Sequence, residues 1–304
     1  MLCVPLFLSA QSNRKFADTL LSVHIDSAIE VTAKRGLDMT DFVRIMINDT
    51  MFYQAFRNLQ KFSFTAENKI VTYDTKNRRL STIYRRIAHR NTGASYKQEI
   101  LQAQDSGKVY SRKGTYDLYT VRMFSYIFMN DRNTDFTNAN AGKKDLDEEG
   151  YKQKLKTLIF NPGKPVHGIP FISSKTEIFG PELRKYYDYT FYHATYQDSI
   201  PIYYFKCKMK PGLSASRQDD IMIKELTTIF DARNFNILGR FIDMKYESLP
   251  FDFDVKMNIE LAYRDDMLVP VVINYDGSWD IPFKKAEVCT FDIKHGNFIP
   301  AQGK

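Results

Sequence analysis

Apolar and polar residues alternate strictly along residues 251–264 of the chain. The odd-numbered set is apolar and consists of Phe251, Phe253, Val255, Met257, Ile259, Leu261 and Tyr263. The even-numbered set is mostly polar and consists of Asp252, Asp254, Lys256, Asn258, Glu260, Ala262 and Arg264. Because successive side chains of a β-strand point to opposite faces, this pattern predicts a strand with one apolar face and one face in water.

The same period of two recurs on both sides of this segment. Short polar turns, such as residues 231–234 and 264–266, separate further apolar and aromatic runs. These runs are residues 187–197, 201–210, 221–231, 235–247, 267–276 and 286–295. Strands that follow one another through short turns form an antiparallel meander, and we predict this arrangement for the C-terminal part of the chain.

The N-terminal half begins with two predicted helices. Apolar residues lie near one face between Phe16 and Ile29, and Gly36 supplies a stop for the first helix. The second helix begins at the capping residue Thr40 and carries an apolar stripe at three- and four-residue steps. The members of this stripe are Phe42, Ile45, Met46, Phe52, Phe56 and Leu59.

From Phe62 onward the period changes to two, which predicts strands in residues 62–66, 70–73, 80–89 and 95–104. The aromatic-rich residues 115–129 fit either a strand or a helix. Residues 130–150 are polar and predict a long loop, which a short helix follows from about residue 148 to residue 160.

A sheet with one apolar face must cover that face, and the two N-terminal helices carry complementary apolar stripes. We therefore expect an α+β fold in which a curved antiparallel sheet, an incomplete β-barrel, wraps around the N-terminal amphipathic helices. Residues 13–304 form a single domain in this interpretation, with the polar loop at residues 130–150.

The first twelve residues are uncharged, and Ala10, Gln11 and Ser12 place small side chains at the positions that a signal peptidase reads. We therefore predict a signal peptide in residues 1–12 and export to the periplasm or cell envelope of a Gram-negative-type bacterium. A short apolar N-terminal strand is the alternative interpretation. No apolar run reaches the ~18 residues of a membrane-spanning helix, so no transmembrane span is expected.

Export permits disulfide formation, and cleavage of the signal peptide would leave only Cys207 and Cys289. Each cysteine lies in an alternating apolar run, which places both toward an interior. Two interpretations remain open: a disulfide between Cys207 and Cys289, or two free buried thiols. No CxxC motif or Cys/His cluster occurs, and we expect no zinc site.

Two consecutive stretches of the meander resemble a known family. In residues 196–211 (YQDSIPIYYFKCKMKP) a small polar turn leads into a Tyr/Phe-rich strand that ends in Lys-Pro. In residues 223–240 (IKELTTIFDARNFNILGR) a strand enters a Phe-Asp turn, and its partner leaves through Leu and Arg. The succession resembles the LolA/LolB-like half-barrels, the outer-membrane lipoprotein carriers of the bacterial envelope, over ~120 C-terminal residues. This resemblance implies an incomplete barrel closed by helices, with an apolar hollow that carries lipoprotein acyl chains.

Positive charge is concentrated between Glu67 and Arg122. This stretch holds twelve Lys or Arg and five acidic residues, and its excess of seven equals the net charge of the whole chain. Such a cluster suits an anionic partner, either a membrane surface or an acidic glycan, and export argues against nucleic acid. An ordinary solvated strand face is the alternative interpretation. The arginines predicted to meet the anion are Arg78, Arg79, Arg85, Arg86 and Arg90.

Motifs for catalysis are absent from the sequence. The five histidines are scattered, and no HExxH, GxSxG, GxGxxG or P-loop motif occurs, so we expect no metal and no cofactor. An exported hydrolase of glycan or peptide remains an alternative, because carboxylates from separate strands can meet in the fold. Asp252 and Asp254 share one face of their strand, ~7 Å apart, and could hold a cation or act as an acid/base pair, although regular alternation with Lys256 and Glu260 favours a plain solvated face.

The sequence therefore favours a non-enzymatic exported envelope protein that binds a lipid or a lipoprotein acyl chain on its concave apolar sheet face. The residues predicted to line this face are Phe251, Phe253, Val255, Met257, Ile259, Tyr203 and Phe205. A purely structural scaffold that binds other proteins through its surface is the further alternative.

Overall fold

The computed structural model describes residues 23–24, 39–93, 95–112, 114–125, 128, 157, 159–164, 173–196, 199–248, 251–280 and 286–301. The predicted signal peptide and the polar loop at residues 130–150 lie outside these residues. The first predicted helix also lies outside them, apart from Val23 and His24, and so does most of the helix predicted up to residue 160.

The fold is dominated by one sheet of eleven antiparallel strands. The strands are β1 (Val23–His24), β2 (Phe62–Tyr73), β3 (Arg79–Asn91), β4 (Tyr96–Gly107), β5 (Tyr187–Tyr196), β6 (Ile200–Met209), β7 (Ile223–Asp231), β8 (Ile237–Ser248), β9 (Phe251–Arg264), β10 (Met267–Asp280) and β11 (Glu287–Pro300). Their spatial order is β1-β5-β6-β7-β8-β9-β10-β11-β2-β3-β4. Within the described ranges the sheet is open, with β1 and β4 at its two ends.

The predicted C-terminal meander is confirmed, since β5 to β11 follow one another in space as they do in sequence. The turn between β9 and β10 shows how the local sequence sets the pairing of two neighbouring strands. Arg264 pairs with Met267 across two residues, Asp265 and Asp266, which both have positive φ. Two central residues with positive φ match the twist of a tight hairpin, and Asp tolerates this conformation.

The strands β2 to β4 extend the same sheet, because β11 pairs with β2 along almost its full length. This pairing joins the last strand of the described chain to the first of the three strands that follow α2, and the sequence pattern did not indicate it. A second difference concerns β1, where Val23 and His24 pair with Tyr196 and Thr195. The prediction of a helix at Val23 and His24 is therefore wrong. These residues pair with the edge of β5, and a local sequence pattern cannot reveal a partner that is so distant in sequence.

The second predicted helix is present as two shorter ones, α1 (Met39–Asn48) and α2 (Met51–Asn58). Asp49 separates them, because its two carboxylate oxygens accept hydrogen bonds from the backbone N–H groups of Met51 and Phe52. A carboxylate in this position satisfies N–H groups that have no partner within a helix, and so begins a new helix. A 3₁₀ turn, Leu59–Lys61, then leads into β2.

The apolar face of the sheet and the two helices form one core. Phe42 of α1 lies with its ring centroid between 5.4 and 5.8 Å from four aromatic rings of β5, β6 and β7. Phe52 and Phe56 of α2 pack against Phe160 and are also buried. The apolar stripe recognised in the sequence is therefore the surface with which the helices cover the sheet.

A third helix, α3 (Tyr119–Phe124), covers the sheet near β10 and β11. The backbone N–H groups of Tyr119 and Thr120 donate to the two carboxylate oxygens of Glu287, each at 2.6 Å. Phe124 then packs on Tyr275 and Phe291, with centroid distances of 4.3 and 5.1 Å. Glu287 thus fixes the beginning of a helix whose apolar side chain completes the core.

Candidate functional site

The predicted ligand face is the core face of the sheet. Phe253, Val255, Met257 and Ile259 of β9 are buried in the main hydrophobic cluster, together with Tyr203 and Phe205 of β6. Phe251 is the first residue of β9, and its side chain lies outside the described part of the structure. The structure therefore brings the predicted set to one face, as the alternation indicated.

This face is occupied by the protein's own side chains. Phe42, Met46, Phe52 and Phe56 of α1 and α2 belong to the same cluster and are at most 4% exposed. The Phe42 ring stacks on Phe205 at a centroid distance of 5.8 Å, in the space where an acyl chain would contact the sheet. In this conformation the hollow expected from the sequence is filled.

The polar face of β9 departs from the prediction in its second half. Asp252 and Asp254 are exposed as expected, but Asn258 and Glu260 are buried, and the Asn258 side-chain amide donates to Glu260 at 3.1 Å. Burial raises the pKa of Glu260, and the hydrogen bond from Asn258 opposes this rise. The alternation thus describes the side-chain directions correctly, whereas only the first half of the strand has one face in water.

The two carboxylates considered for hydrolysis lie on that exposed half. Partial burial raises the pKa of Asp252, and the neighbouring Glu247 on β8 adds to this rise. Asp254 is paired in register with Lys245 of β8. These are the properties of a charged strand surface, in which Lys245 also forms an ion pair with Glu247 at 2.6 Å.

Of the two interpretations of the cysteines, a disulfide between Cys207 and Cys289 is wrong. Cys207 on β6 and Cys289 on β11 are both buried thiols that form no disulfide with each other. Four strands, β7 to β10, separate the two cysteines in the sheet. The alternation correctly indicated that both side chains face the interior, but a shared face does not imply contact, and the interpretation as two buried thiols is the one that the structure shows.

The predicted anion-binding arginines do not form a free cationic surface. Four of the five are paired with carboxylates of the chain: Arg78 with Asp74, Arg85 with Asp105, Arg86 with Glu67, and Arg90 with Glu99. Arg79, the first residue of β3, is exposed. These ion pairs use acidic residues that are already counted in the charge balance, so the excess of seven positive charges remains, although four of the five predicted arginines have a carboxylate partner.

Arg85 is the clearest correction among these residues. Its side chain is 8% exposed and makes two hydrogen bonds to the carboxylate of Asp105, at 2.6 and 2.7 Å. A third hydrogen bond runs to the hydroxyl of Tyr110 at 2.6 Å. Arg85 lies on the face that also carries Ile83 and Ile87, because all three occupy odd-numbered positions of β3. The bond to Asp105 is the main cause that raises the pKa of Arg85, which holds the guanidinium in its charged form.

A second internal cation lies beneath α2. Arg240 of β8 is 3% exposed, and its guanidinium carbon lies 4.3 Å from the ring centroid of Phe52. Its Nη1 donates to the carbonyl oxygen of Phe160 at 3.0 Å, and within the described ranges it has no ion pair with a carboxylate. Burial lowers the pKa of Arg240 to about 10. The Arg240 guanidinium is therefore stabilised by the face of the Phe52 ring and by the dipole of the Phe160 carbonyl group.

A small cavity of about 10 Å³ lies between β2, β3, β4 and β11. Its lining includes His89 of β3 and His295 of β11, which the scattered positions of the histidines gave no reason to bring together. Both rings contact Phe64 of β2: His89 stacks on it at 4.2 Å, and His295 meets it edge-on at 5.3 Å. A space of this size holds about one water molecule and no larger ligand.

The hydrogen bonds of these histidines are well defined. His89 Nδ1 lies 2.5 Å from the hydroxyl of Tyr96, and His295 Nδ1 donates to the carbonyl oxygen of Pro270 at 2.9 Å. His89 Nε2 is buried and has no hydrogen-bond partner among the described residues. Burial lowers the pKa of His89 to about 3, and the nearby His295 contributes to this lowering. Burial also lowers the pKa of His295, to about 4. Both rings are neutral near neutral pH.

The strand β4 is the most exposed element of the sheet. One of its sides pairs with β3, and within the described ranges no strand pairs with the other side. Almost all of its residues are exposed, including Ile100 at 59% and Leu101 at 46%. Four of the six large apolar side chains that are exposed in the described part of the chain lie on β3, on β4 or just beyond β4: Leu80, Ile100, Leu101 and Tyr110.

Neither a metal centre nor a membrane-spanning helix is found in the described part of the chain. Its His, Cys, Asp and Glu residues include no group of three or more placed to hold a metal ion. None of its helices is long and apolar enough to cross a membrane.

No family model matches the chain, and no curated protein matches it. A crystal structure of a DUF1329 family protein from Desulfovibrio piger is similar, with 9% sequence identity and a TM-score of 0.26 over 86% of this chain and 94% of that one. A TM-score of this size does not demonstrate a shared fold, so neither the resemblance to lipoprotein carriers nor a function follows from it.

Proposed function

We propose that this chain is a non-enzymatic binding protein that recognises an extended segment of a protein partner at the free edge of β4. The observation that carries the proposal is the edge itself, a strand of twelve residues with Ile100 and Leu101 uncovered in the middle. Natural edge strands are usually short, or are protected by proline, charged side chains, a β-bulge or a covering segment. The strand β4 is long, contains no proline and carries a single lysine, Lys97, and its central bulge leaves Ile100 and Leu101 exposed.

An edge of this kind binds by strand addition. The backbone N–H and C=O groups that point away from β3 supply hydrogen bonds along the strand, and alternate side chains of β4 supply specificity. Ile100 and Leu101 provide apolar surface for the partner, and burying such a side chain contributes about 1.5–3 kcal/mol. The ion pairs from Arg85 to Asp105 and from Arg90 to Glu99 hold β4 against β3 at both ends.

The filled core supports this function over carriage of a ligand. Tyr203 and Phe205 of the predicted lining pack against Phe42, and the predicted β9 residues are buried in the same hydrophobic cluster as Phe52 and Phe56. Asp252 and Asp254, the carboxylates considered for hydrolysis, are exposed and lie beside the ion pair of Lys245 with Glu247 on a charged strand surface. Asp252→Asn and Asp254→Asn are therefore expected to leave folding and binding unchanged.

The test combines amide exchange with cross-linking. In the dilute isolated chain, the amides of β4 that point away from β3 should exchange fast, while those bonded to β3 exchange slowly. A photoreactive residue at Leu101 should then cross-link one defined segment in the native cell, and the same residue at Ile299 of β11, which is 63% exposed, should not. A synthetic copy of the captured segment should slow exchange along β4. Protection of the outward amides in the isolated chain would show that the edge is already covered, and the proposal would fail.

Binding of a lipid-like ligand is the second candidate, and the construction of the helical cover favours it. Helices α1 and α2 contain ten and eight residues and are separated at Asp49, and helices of this length are marginal without tertiary contacts. A ligand that displaces α1 would take over the contacts of Phe42 on the sheet. Lipid extraction of the purified chain and titration with a fluorescent fatty acid test this candidate. Saturable binding that Phe42→Ala strengthens would support it, and no binding would remove it.

Export belongs to the same proposal and rests on the leader-like residues 1–12. Fractionation of cells that express the full chain should place it in the periplasm or envelope, with an N-terminus after residue 12. A full-length chain in the cytoplasm would contradict export and would leave the β4 edge unaffected.

A further inference from the structure

We infer that the protein segment bound at β4 is the β4 strand of a second copy of this chain, so that two sheets join edge to edge across a two-fold axis. This inference rests on the proposed function and names its partner. It follows from the register of β4, from the distribution of its side chains between the two faces, and from its charge.

The strand β4 contains a bulge at its centre. Arg86 of β3 pairs with Gln102 and Ile87 pairs with Ile100, which leaves Leu101 without a partner on β3. An extra residue of this kind exchanges the two faces of the strand. Before the bulge, the even-numbered residues share a face with Ile87. After it, the odd-numbered residues share that face.

This inversion permits an antiparallel pairing of β4 with itself that is centred on the bulge. When the two-fold axis passes between Leu101 and Gln102, each residue before the bulge meets a residue after it. The pairs are Ile100 with Ala103, Glu99 with Gln104, Gln98 with Asp105, and Lys97 with Ser106. Every pair joins residues of the same face, from Lys97 to Ser106, and the bulges of the two copies lie together at the axis.

The pairs are also chemically compatible. Ile100, which is 59% exposed in the single chain, meets the side chain of Ala103, and this contact occurs twice across the axis. Each carboxylate of the strand, Glu99 or Asp105, meets a glutamine, and no two like charges are opposed. The chain as a whole carries a net charge of +7, whereas β4 has one Lys against two carboxylates. Two copies therefore approach at this edge without the repulsion expected between their basic surfaces.

The oligomeric state tests the inference. Sedimentation equilibrium of the full chain over a wide concentration range should show a monomer–dimer equilibrium. Ile100→Lys should weaken the dimer by about a hundredfold, because it removes two apolar contacts and adds two charges at the axis. The matched control Ile299→Lys introduces the same change at a 63% exposed position of β11 and should leave the dimer constant unchanged.

The register has its own test. In a Cys3→Ser background, the double variant Ile100→Cys/Ala103→Cys should form intermolecular disulfides on mild oxidation, because opposed Cβ atoms of antiparallel strands lie within reach of a disulfide. Each single variant places its cysteine opposite a different residue and should cross-link poorly. Equal cross-linking by the single and double variants would contradict the register.

Amide exchange separates the inference from the proposed function. A chain that stays monomeric at all concentrations, with fast exchange of the outward β4 amides, would overturn self-pairing and leave the edge open for another protein. A monomer in which these amides are protected would overturn both. A dimer that survives Ile100→Lys would place its interface elsewhere and would also overturn the inference.

Discussion

The imidazole of His89 lies parallel to the ring of Phe64, with the two centroids 4.2 Å apart and the planes inclined by 5°. This stacking places a titratable ring inside a nearly dry part of the sheet, where its charged form is disfavoured. His295 meets the same phenylalanine from the side. The histidines therefore couple the stability of this end of the sheet to pH.

The unfolding free energy should fall on acidification below the unfolded-state pKa of about 6.5. The folded-state pKa values of His89 and His295 are lowered by burial, to about 3 and about 4, so the unfolded chain binds more protons in between. Stability is therefore fully present above pH 6.5 and is lost as the pH falls, by up to about 1.4 kcal/mol per pH unit for each histidine. Urea unfolding at a series of pH values measures this slope.

The matched variants are His89→Gln and His193→Gln. His89→Gln removes a buried titratable group and should make the unfolding free energy depend less steeply on pH in acid, because the glutamine side chain takes up no proton in this pH range. His193 of β5 is exposed, and its replacement should leave the slope unchanged. Equal slopes in all three proteins would show that the buried histidines do not control acid stability.

Replacement of Glu287 should loosen α3. Its carboxylate accepts hydrogen bonds from the backbone N–H groups of Tyr119 and Thr120, and hydrogen bonds to a charged group contribute about 1.5–3 kcal/mol each. We expect Glu287→Gln to lower the unfolding free energy by about 2–3 kcal/mol and to accelerate amide exchange in α3. Glu247→Gln changes an exposed residue of β8 in the same way and should cost less than about 0.5 kcal/mol. An unchanged exchange rate in α3 would contradict the role of Glu287.

Gly277 of β10 is required by the position of Tyr275. A Cβ atom at Gly277 would lie 2.1 Å from the Tyr275 hydroxyl oxygen, which also accepts a hydrogen bond from Trp279 Nε1 at 2.6 Å. Gly277→Ala must therefore displace the tyrosine ring, and we expect a loss of about 1–3 kcal/mol in unfolding free energy. The chain has a single tryptophan, so its fluorescence reports the lost hydrogen bond directly.

The control for this substitution is Gly296→Ala, since a Cβ atom at Gly296 would have no neighbour within 4 Å. Gly296→Ala should leave both the tryptophan emission and the unfolding midpoint close to those of the original chain. A Gly277→Ala variant as stable as this control would show that the ring of Tyr275 does not lie over Gly277.

The buried guanidinium of Arg240 should be replaceable by an apolar side chain of similar length. Among the described residues the charge lies against Phe52 and a carbonyl group, and Asp49 acts on it only through its charge and not through an ion pair, so much of its desolvation is not compensated. We expect Arg240→Met to change the unfolding free energy by less than about 1.5 kcal/mol. Arg240→Ala leaves a cavity under α2 and should cost about 2–4 kcal/mol. Similar losses in both variants would indicate that the charge itself stabilises the core.

The sequence predicted those features of the fold that depend on local periodicity. The alternation of β9 indicated which of its side chains face the core, and the stripe from Phe42 to Phe56 indicated a helical surface. The strands from β5 to β11 were predicted in their observed order. The break at Asp49 also has a local signal, because an aspartate followed by an apolar run is a typical helix start.

Features that depend on distant residues were not predictable in this way. The pairing of β11 with β2 brings His295 close to His89, and no local pattern encodes it. Arg85 was assigned by charge alone, although Ile83 and Ile87 on either side would have indicated a buried face. The alternation placed Tyr203 and Phe253 on an apolar face, but it cannot distinguish an open hollow from one filled by Phe42. The bulge at Leu101 likewise appears only when β4 is paired with β3.

Native mass spectrometry of the purified full chain tests the central claim most directly, because a single spectrum reports both bound ligand and oligomeric state. A filled core and an open β4 edge predict ions of the bare chain, monomeric at low concentration and dimeric at high concentration, without added lipid mass. A monomer that carries one lipid molecule in stoichiometric amount at every concentration would contradict the account.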